Sequence, residues 1–303
     1  FYYKTFMWPR SFWEKYYEPI IRSSAGLGRI SGEPDPDSYD KRYLHCDILI
    51  IGSGPAGLSA ALAAGRSGAR VVLAEEDFII GGRLNSETYE ISSRHNSKWI
   101  TQTISELYSI KNVKIMPRTT IFGVYDHGIY GGIERKNDYT NSNNANSREI
   151  FWKIITKYSI LCAGAIERPI AFGNNDRPGI MLAGAVRSYI NRWGVAPGKK
   201  VAVFTNNDSG WRTAVDLKSK GLIVSSVIDS REISPPVKLV DTRVIMGETV
   251  VNTKGRHGIS SLTISNGEKI LTDCLAVSGG WNPNLSLTCH HGGRPMWRNA
   301  ISA

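Results

Sequence analysis

The sequence predicts an α/β fold made of two parallel-sheet units, with the second unit inserted in the first. Three observations predict this architecture. Residues 46–76 contain a strand, a glycine turn, a helix, a second strand and an acid, in that order. A second strand–helix–strand pattern begins at Lys199, and a late strand at residues 274–278 runs into another glycine turn. That late turn is expected to return beside the first unit.

The first unit opens with residues 48–51, whose β-branched apolar side chains are typical of a parallel strand buried on both faces. Three glycines follow at the spacing of a dinucleotide-binding fingerprint. Gly52 makes the tight turn, Gly54 lets a pyrophosphate approach the backbone, and Gly57 lets the next helix, residues 55–67, pack close to the strand. We assign all three glycines to the pyrophosphate site.

Residues on either side of this turn complete the predicted binding unit. Pro55 and Ala56 start the helix, where free N–H groups and the helix dipole attract phosphates. A second strand, residues 70–74, ends at Glu75 and Glu76, roughly 20 residues past the glycines, where an acid binds a ribose hydroxyl. A glycine turn without a ligand is the alternative, and the complete order of elements disfavours it.

Two later glycine turns are predicted to border the same site. Gly82, Arg83 and Leu84 follow a glycine pair and are assigned to the phosphates or to the second ribose. A surface salt bridge is the alternative role for Arg83. Ala163 and Gly164 end a long predicted strand and complete the set of cofactor-binding residues.

The second unit keeps the Rossmann shape without the glycine fingerprint. Its predicted elements are a strand at 200–204, a helix at 210–220 and a strand at 222–228. The turn between the first strand and the helix carries Asn206, Asn207 and Asp208. These side chains deny a pyrophosphate the close backbone approach that glycine allows, and Asp208 repels it. We therefore predict no exchange of free NAD(P)H here, and an interface role for the turn is a further hypothesis.

The order of elements predicts three parts. Aromatic side chains at helical spacing in residues 12–21 favour docking on another domain or subunit over base stacking, and the Asn-rich tract 138–148 predicts an exposed hairpin tip. The predicted parts are residues 1–40, an aromatic-rich docking segment and linker; residues 41–170 with 268–303, the first dinucleotide-binding domain; and residues 171–267, the inserted degenerate Rossmann-like domain.

Composition narrows the classes of function. The 303 residues suffice for about two domains, and the net charge of +10 is dispersed, so no nucleic-acid arm is expected. A basic surface suits an acidic partner, a phosphate ligand, or solvent alone. No apolar stretch reaches the ~18 residues of a membrane span. Four scattered cysteines favour the cytoplasm.

The search for chemistry in the sequence finds no nucleophile constellation, so no catalytic residue is assigned. His290 and His291 beside Cys289 are not expected to bind a metal, because adjacent histidines rarely point to one centre. Arg168 and Arg177 flank a loop where a phosphate or carboxylate contact is one interpretation.

The layout resembles the two-dinucleotide-domain flavoproteins of glutathione-reductase (FAD/NAD(P)-binding) type over residues 45–290 or so. Four features carry this resemblance in order: the fingerprint at Gly52, Gly54 and Gly57, the Gly81-Gly82-Arg83 pair, the Leu161-Cys-Ala-Gly164 strand end, and the Ser278-Gly279-Gly280 return. A narrower resemblance, to the α subunit of heterotetrameric sarcosine oxidase, covers nearly the whole chain. It is carried by Lys4-Thr-Phe-Met-Trp-Pro, Phe12-Trp-Glu-Lys, Ala25-Gly-Leu-Gly28, Gly164-Ala-Ile-Glu-Arg-Pro169, Asn174-Asn-Asp-Arg-Pro-Gly-Ile-Met181, Phe204-Thr-Asn-Asn-Asp-Ser209 and His291-Gly-Gly-Arg-Pro295.

The narrower resemblance implies membership of a complex that demethylates sarcosine with O2 and tetrahydrofolate, giving glycine, H2O2 and methylene-folate. It implies a β subunit with FAD, a covalent FMN near the α–β interface, small γ and δ subunits, and NAD held tightly in the α subunit. It also implies an upstream ferredoxin-like domain and a downstream folate-binding domain. Neither is in this sequence, so we expect a piece of a longer polypeptide that is inactive alone.

Two further interpretations stay open. FAD is the alternative to NAD at the first site, because both ligands present the same ADP half to Glu75. A self-contained FAD-dependent oxidoreductase is the alternative function, although the missing cysteine pair and the lost second fingerprint disfavour it. An α subunit that serves another amine, such as an opine, glycine or proline, would share the same fold.

Overall fold

The computed structural model describes residues 8–26, 28, 32–35, 37–88, 90–91, 93–136 and 147–301. Phe1, Tyr2, Tyr3 and Phe6 of the aromatic segment, and most of the Asn-rich tract 138–148, lie outside these residues. The chain divides into two units, residues 1–38 with 141–145 and residues 39–140 with 146–303. Each unit is described by itself.

In the described part of the smaller unit, residues 10–24 are helical. A 3-10 turn, Arg10–Phe12, leads into a π-helical turn, Trp13–Tyr17, and then into α1, Glu18–Ser24. The Phe12 and Tyr16 rings are 5.1 Å apart, and Ile20 is 64% exposed. The helical spacing of the aromatic residues is thus observed, whereas docking on another subunit stays a prediction.

The larger unit holds eighteen strands and five α-helices among its described residues. The helices are α2 (Pro55–Arg66), α3 (Asn96–Ser109), α4 (Ala183–Arg192), α5 (Asp208–Ser219) and α6 (Ser286–His290). In chain order, the strands are β1 (Tyr39–Ile51), β2 (Val71–Ala74), β3 (Glu90–Ile91), β4 (Arg94–His95), β5 (Val113–Met116), β6 (Thr119–Tyr125), β7 (Ile129–Arg135), β8 (Glu149–Leu161), β9 (Ala165–Glu167), β10 (Ile180–Leu182), β11 (Lys200–Thr205), β12 (Ile223–Asp229), β13 (Arg243–Met246), β14 (Val250–Lys254), β15 (Ser261–Ile264), β16 (Lys269–Leu271), β17 (Cys274–Ser278) and β18 (Trp281–Pro283).

The first sheet has the strand order β5-β2-β1-β8-β7-β6. Strands β5, β2, β1 and β8 are parallel, and β7 and β6 complete an antiparallel meander. In this register Ile51 lies beside both Ala74 and Leu161. The carboxyl ends of β1, β2 and β8 therefore meet at one edge, which is where parallel α/β sheets bind ligands.

The second sheet has the order β10-β17-β11-β12-β13 and is parallel throughout. The helix α5 connects β11 to β12, which confirms the second strand–helix–strand unit. Strand β17 pairs with β11 and β10, so residues 274–278 lie in the second sheet, whereas the sequence placed 268–303 in the first domain. The apolar β17 sequence is compatible with either sheet, because both are buried on two faces.

Smaller sheets complete the unit. Strands β14, β15 and β16 form an antiparallel three-stranded sheet, with a turn at Asn266-Gly267. Strand β18 pairs antiparallel with β9, so the segment after β17 does return beside the first sheet. Within the part of the chain that the structure describes, no helix is long and apolar enough to cross a membrane.

Two elements differ from the prediction. Strand β1 begins at Tyr39 instead of residue 48, because residues 39–46 pair with the first half of β8. The helix α4 was not predicted, and it buries Ala183, Val186 and Ile190 against the second sheet. The extension of β1 depends on a partner distant in the sequence, which local patterns do not reveal. The spacing of the buried α4 residues is, in contrast, a local helical signal that the sequence analysis missed.

Two glycines, Gly52 and Gly57, let the turn after β1 lie very close to neighbouring backbone. Gly52 has φ +98°, and a Cβ there would lie 2.4 Å from the Cys162 carbonyl oxygen. A Cβ on Gly57 would lie 1.8 Å from the Gly52 carbonyl oxygen. Gly57 is therefore what lets α2 approach the end of β1 so closely.

We expect Gly57→Ala to lower the free energy of unfolding by about 1–3 kcal/mol, because the added methyl group forces α2 away from β1. Urea unfolding of the purified protein measures the change. Gly54→Ala is the matched control, since a Cβ on Gly54 meets nothing within 4 Å and should cost less than about 0.5 kcal/mol. Equal losses in the two variants would contradict the packing role.

Candidate dinucleotide-binding site

A cleft of roughly 1310 Å³ opens at the carboxyl edge of β1, β2 and β8. Its walls come from the first glycine turn, the end of β2, the second glycine turn, the segment after β8, and the second Rossmann unit. All predicted cofactor residues except Gly57 line it: Gly52, Gly54, Pro55, Ala56, Glu75, Glu76, Gly82, Arg83, Leu84, Ala163 and Gly164. Gly57 instead lies buried beneath the turn.

The N-terminus of α2 faces this cleft. Gly54 is its N-cap residue and Pro55 occupies the first turn, and no side chain caps the helix. The first N–H groups of an uncapped helix lack intrahelical acceptors and carry the positive end of the dipole. Because a Cβ on Gly54 would meet nothing within 4 Å, the backbone there is open to a ligand.

The carboxylate of Glu75 ties the edge of the sheet together. Its Oε2 accepts from the Ser53 N–H (2.8 Å) and from the Ser53 hydroxyl (2.6 Å), and its Oε1 accepts from the Asp77 N–H (2.9 Å). Ser53 Oγ in turn accepts from the Gly81 N–H (3.0 Å). A carboxylate has about four acceptor positions, so Glu75 retains capacity for a ribose hydroxyl. The sequence analysis missed Ser53, whose signal is a hydroxyl between two fingerprint glycines.

The second glycine turn touches the first through backbone atoms. Gly82 has φ +55°, and a Cβ on it would lie 3.0 Å from Gly54 Cα. Gly81 has φ +128°. The glycine pair is thus needed for close approach of two chain segments, and the same approach places Arg83 at the cleft.

Arg83 makes an ion pair with Glu87 and a cation–π contact with Trp281. Its Nη2 donates to Glu87 Oε1 (2.8 Å) in an ion pair. Its guanidinium also lies 3.6 Å from the centre of the Trp281 ring, in the geometry of a cation–π contact. The salt-bridge interpretation is therefore confirmed as a contact, and the phosphate role stays a prediction for a side chain that lines the cleft.

The opposite wall was not predicted from the sequence. It consists of residues of α4 and of the second Rossmann turn: Ser188, Arg192, Asn207, Asp208, Ser209 and Arg212. Arg192 donates two hydrogen bonds to Asp77 (2.6 and 2.9 Å), which hold the pKa of that carboxyl below its usual range. Burial of α4 against both units brings these side chains to the cleft.

The remaining sequence candidates lie in other environments. His290 lines the cleft, whereas Arg168 and Arg177 do not. Arg177 hydrogen-bonds the Gly255 carbonyl oxygen, and Arg168 lies over the Trp297 ring. Among the described residues, no three His, Cys, Asp or Glu side chains gather as metal ligands.

Three of the four thiols are poorly suited to redox chemistry, and the fourth, Cys289, is exposed. Burial raises the pKa of Cys162 beside the cleft, and it raises the pKa of Cys274 to about 12. Burial likewise raises the pKa of Cys46. Because the thiolate is the reactive form, these thiols stay protonated and unreactive near neutral pH.

The second Rossmann turn makes contacts with its own unit. The acid at the end of its second strand, β12, is Asp229, which is fully buried. It accepts from Trp211 Nε1 (2.7 Å) and from Arg231 Nη2 (2.8 Å), and Arg231 also pairs with Asp208 (2.9 Å). Burial raises the Asp229 pKa, but the Arg231 and Trp211 hydrogen bonds outweigh burial and lower it. Asp229, the counterpart of Glu75 in the second unit, is thus hydrogen-bonded to side chains of its own unit.

Glu167 is a buried carboxyl behind Trp281. Its Oε2 accepts from the Gly184 N–H (2.6 Å) in the first turn of α4, while Oε1 is buried without a hydrogen-bond partner. Burial raises the Glu167 pKa, and Ser278, the Gly184 N–H, Arg187 and Arg83 oppose that rise.

Comparison with known proteins first defines the class. Residues 47–126 match the family model for FAD dependent oxidoreductase. L-proline dehydrogenase from P. horikoshii superimposes with a TM-score of 0.66 at 24% identity, over 86% of this chain and 46% of that one. T. acidophilum thioredoxin reductase does so at 0.61 and 18% identity, over 80% and 79%. The fold is that of FAD/NAD(P)-binding oxidoreductases of glutathione-reductase type.

Curated relatives show which oxidoreductases of this class the chain resembles in sequence. The sarcosine oxidase α subunit of Rhizobium meliloti (strain 1021) is 46% identical over 301 residues, which cover 98% of this chain and 30% of that protein. The sarcosine oxidase α subunit of Corynebacterium sp. (strain P-1) is 38% identical over 92% of this chain and 30% of its own length. An opine oxidase subunit of Agrobacterium tumefaciens (strain Ach5) is 27% identical over 81% and 52%. The chain is homologous to sarcosine oxidase α subunits along nearly its whole length, and it spans about 30% of their length.

We expect the stability of Glu167→Gln to rise relative to the parent protein as the pH increases above 4.5, the ordinary glutamate value. The unfolded chain releases the Glu167 proton at lower pH than the folded chain, so the parent loses stability until the raised pKa is passed. The gap should widen with pH until the raised pKa of the folded state is passed. Urea unfolding at several pH values measures it, with Glu106→Gln, a surface carboxylate paired with Arg66, as the control. A gap that does not change with pH would refute the effect of burial.

Proposed function

We propose that the chain is the dinucleotide-holding segment of an α subunit in a multi-subunit, flavin-dependent amine oxidase, with sarcosine as the substrate of the complex. The observation that carries the proposal is the cleft at the carboxyl edge of the first sheet. It combines an uncapped helix N-terminus with a buried acid that retains acceptor capacity. Identity of 46% with a sarcosine oxidase α subunit supports the choice of complex.

The residues of the cleft fit the ADP half of a dinucleotide. The open backbone at Gly54 and the N-terminus of α2 would receive the pyrophosphate, and Glu75 would accept from the adenosine ribose. Glu76 lies exposed beside it and, with Glu75, would repel a 2′-phosphate. Gly82, Arg83 and Leu84 would border the phosphates or second ribose from the opposite side, with Ala163 and Gly164 at the end of β8.

We propose NAD as the occupant, following the sarcosine oxidase resemblance, with FAD as the alternative. The match of residues 47–126 to an FAD-dependent oxidoreductase model supports a flavin-type domain, but both ligands share the ADP half that the cleft fits. A flavin would supply two-electron redox chemistry, whereas a permanently held NAD would have a structural role in the complex. The residues of this chain bind and orient the nucleotide, and no catalytic group is assigned to them.

The rest of the proposed activity resides in the partners that the resemblance implies. Oxidation of sarcosine is placed on the FAD of a β subunit, with FMN at the α–β interface and tetrahydrofolate accepting the one-carbon unit. Small γ and δ subunits complete the proposed complex. We also propose a cytoplasmic location, because the four cysteines are free thiols.

A second candidate function is a self-contained FAD-dependent oxidoreductase. The family model and the reductase-like fold favour it. Two observations oppose it, because a pyridine nucleotide reductase needs an electron relay and a second nucleotide site. The three thiols with a raised pKa stay protonated and do not supply the relay, and Asp229 is hydrogen-bonded within its own unit where the second site would need a free acid. An α subunit for an opine or another amine is the closer alternative, supported by the 27% identical opine oxidase relative.

Identification of the bound nucleotide tests the proposal. We expect denatured protein to release NAD, found by absorbance and mass spectrometry, from a colourless preparation. Release of FAD from a yellow preparation would favour the second candidate. Protein that neither carries nor rebinds either dinucleotide would contradict the assignment of the cleft.

We expect Gly54→Ala to lower affinity for the dinucleotide by about 10-fold or more, because the methyl group projects into the cleft where the pyrophosphate approaches the backbone. Isothermal titration of nucleotide-stripped protein measures the loss. Gly32→Ala is a control of the same chemical change at a glycine that does not line the cleft, has no positive φ, and would place its Cβ with no atom within 4 Å. Unchanged affinity in Gly54→Ala would remove the fingerprint from the binding site.

A further inference from the structure

The second Rossmann unit holds one short segment of the first site. This clamped segment, residues 82–88, contains Arg83 and follows the second glycine pair. From α4, Ser188 Oγ donates to Ser86 Oγ (3.0 Å) and Asn191 Nδ2 donates to the Ser86 carbonyl oxygen (3.0 Å). From α5, Asp216 Oδ1 accepts from the Thr88 hydroxyl (2.9 Å). The clamped segment is therefore fixed by helices far from it in the sequence.

Arg187 lies at the centre of these contacts. It is 1% exposed, and its Nη1 donates to Glu87 Oε2 (2.7 Å). Its Nη2 donates to the Ser209 hydroxyl (2.8 Å), at the start of α5. One guanidinium thus connects the turn that lost its glycine fingerprint to the carboxylate of the clamped segment.

Glu87 connects Arg187 to Arg83 at the cleft. Its Oε2 is held by Arg187, and its Oε1 accepts from Arg83 Nη2 (2.8 Å). The Arg83 guanidinium is fixed on its other side by the Trp281 ring, at 3.6 Å. Ser209, Arg187, Glu87 and Arg83 therefore form one continuous chain of hydrogen bonds from the second Rossmann turn to the dinucleotide cleft.

Stability alone is a weak explanation for this arrangement. A buried ion pair is often no better for stability than apolar side chains of equal volume, because desolvation offsets the attraction. The Nε of Arg187 is moreover buried without a partner. A fixed guanidinium, in contrast, loses little entropy when it contacts an anion. The geometry suits the presentation of Arg83 to a ligand.

We propose that Arg187 is a positioning residue for the dinucleotide, acting on the phosphates through Glu87 and Arg83. In this proposal the second Rossmann turn anchors Arg187 through Ser209. The acid of the same unit, Asp229, is paired with Arg231. This inference rests on the proposed dinucleotide site, and it adds a role for the second unit in that site.

The test compares two probes on nucleotide-stripped protein by isothermal titration. ADP-ribose contains the whole pyrophosphate and both riboses, whereas AMP ends at the first phosphate. We expect Arg187→Met to weaken ADP-ribose binding about 10-fold, the size of one charge-assisted hydrogen bond, and to change AMP binding less than about twofold. Arg243→Met, which removes an arginine paired with Glu268 on the surface, is the matched control.

A double-mutant cycle separates positioning from general damage. If Arg187 acts through Arg83, then Arg187→Met in an Arg83→Gln background should cost less than about a further twofold in ADP-ribose affinity. Ser209→Ala, which removes one hydrogen bond and keeps the buried guanidinium, should weaken ADP-ribose binding about two- to fivefold. Ser209→Ala provides the same comparison if Arg187→Met does not fold.

The outcomes distinguish the two proposals. Failure of the parent protein to bind ADP-ribose would overturn the dinucleotide site and this inference with it. Binding by the parent with equal losses for AMP and ADP-ribose, or with additive losses in the cycle, would overturn the positioning role alone. Full ADP-ribose affinity in both Arg187→Met and Ser209→Ala would do the same.

Discussion

The hydrogen bonds of the Glu75 carboxylate determine the geometry of the whole binding edge. Glu75 follows β2, Ser53 follows β1, and Gly81 begins the second glycine turn, and one carboxylate with one hydroxyl connects all three. Their positions depend in turn on the register that places Ile51 beside Ala74. A slip of one residue would direct Glu75 to the other face of the sheet. Sheet register and site geometry are thus a single constraint.

The two Rossmann units show how one architecture gives different chemistry when a few side chains change. Each unit ends its second strand in an acid at the carboxyl edge of a parallel sheet. In the first unit the acid accepts from backbone and hydroxyl donors and retains acceptor capacity beside a cleft. In the second unit Asp229 is enclosed by Trp211 and Arg231. Fold alone therefore does not define a nucleotide site.

The sequence predicted the first unit well because the information there is local. Strand, glycine turn, helix and acid lie within 31 residues, and each has a conformational reason at its own position, such as the positive φ of Gly52. The second strand–helix–strand unit was predicted for the same reason. The opposite wall of the cleft was missed for two reasons. The helical spacing of the buried apolar residues of α4 was overlooked, and Arg187 acquires its role only through partners about 100 and 22 residues away. The sequence placed residues 268–303 in the first domain, whereas β17 pairs with β10 and β11 in the second sheet. The apolar sequence of β17 suits either sheet.

The helix α4 also limits motion. On one side it packs in the core of the second sheet, and on the other its Arg187 and Arg192 are ion-paired with Glu87 and Asp77 of the first unit. Any swivel of one nucleotide unit against the other would break both ion pairs and leave a buried guanidinium without its carboxylate. The two nucleotide units are therefore linked by α4. A hinge motion between them would cost about 3–5 kcal/mol for the buried pair alone, because it would separate the Arg187 charge from Glu87.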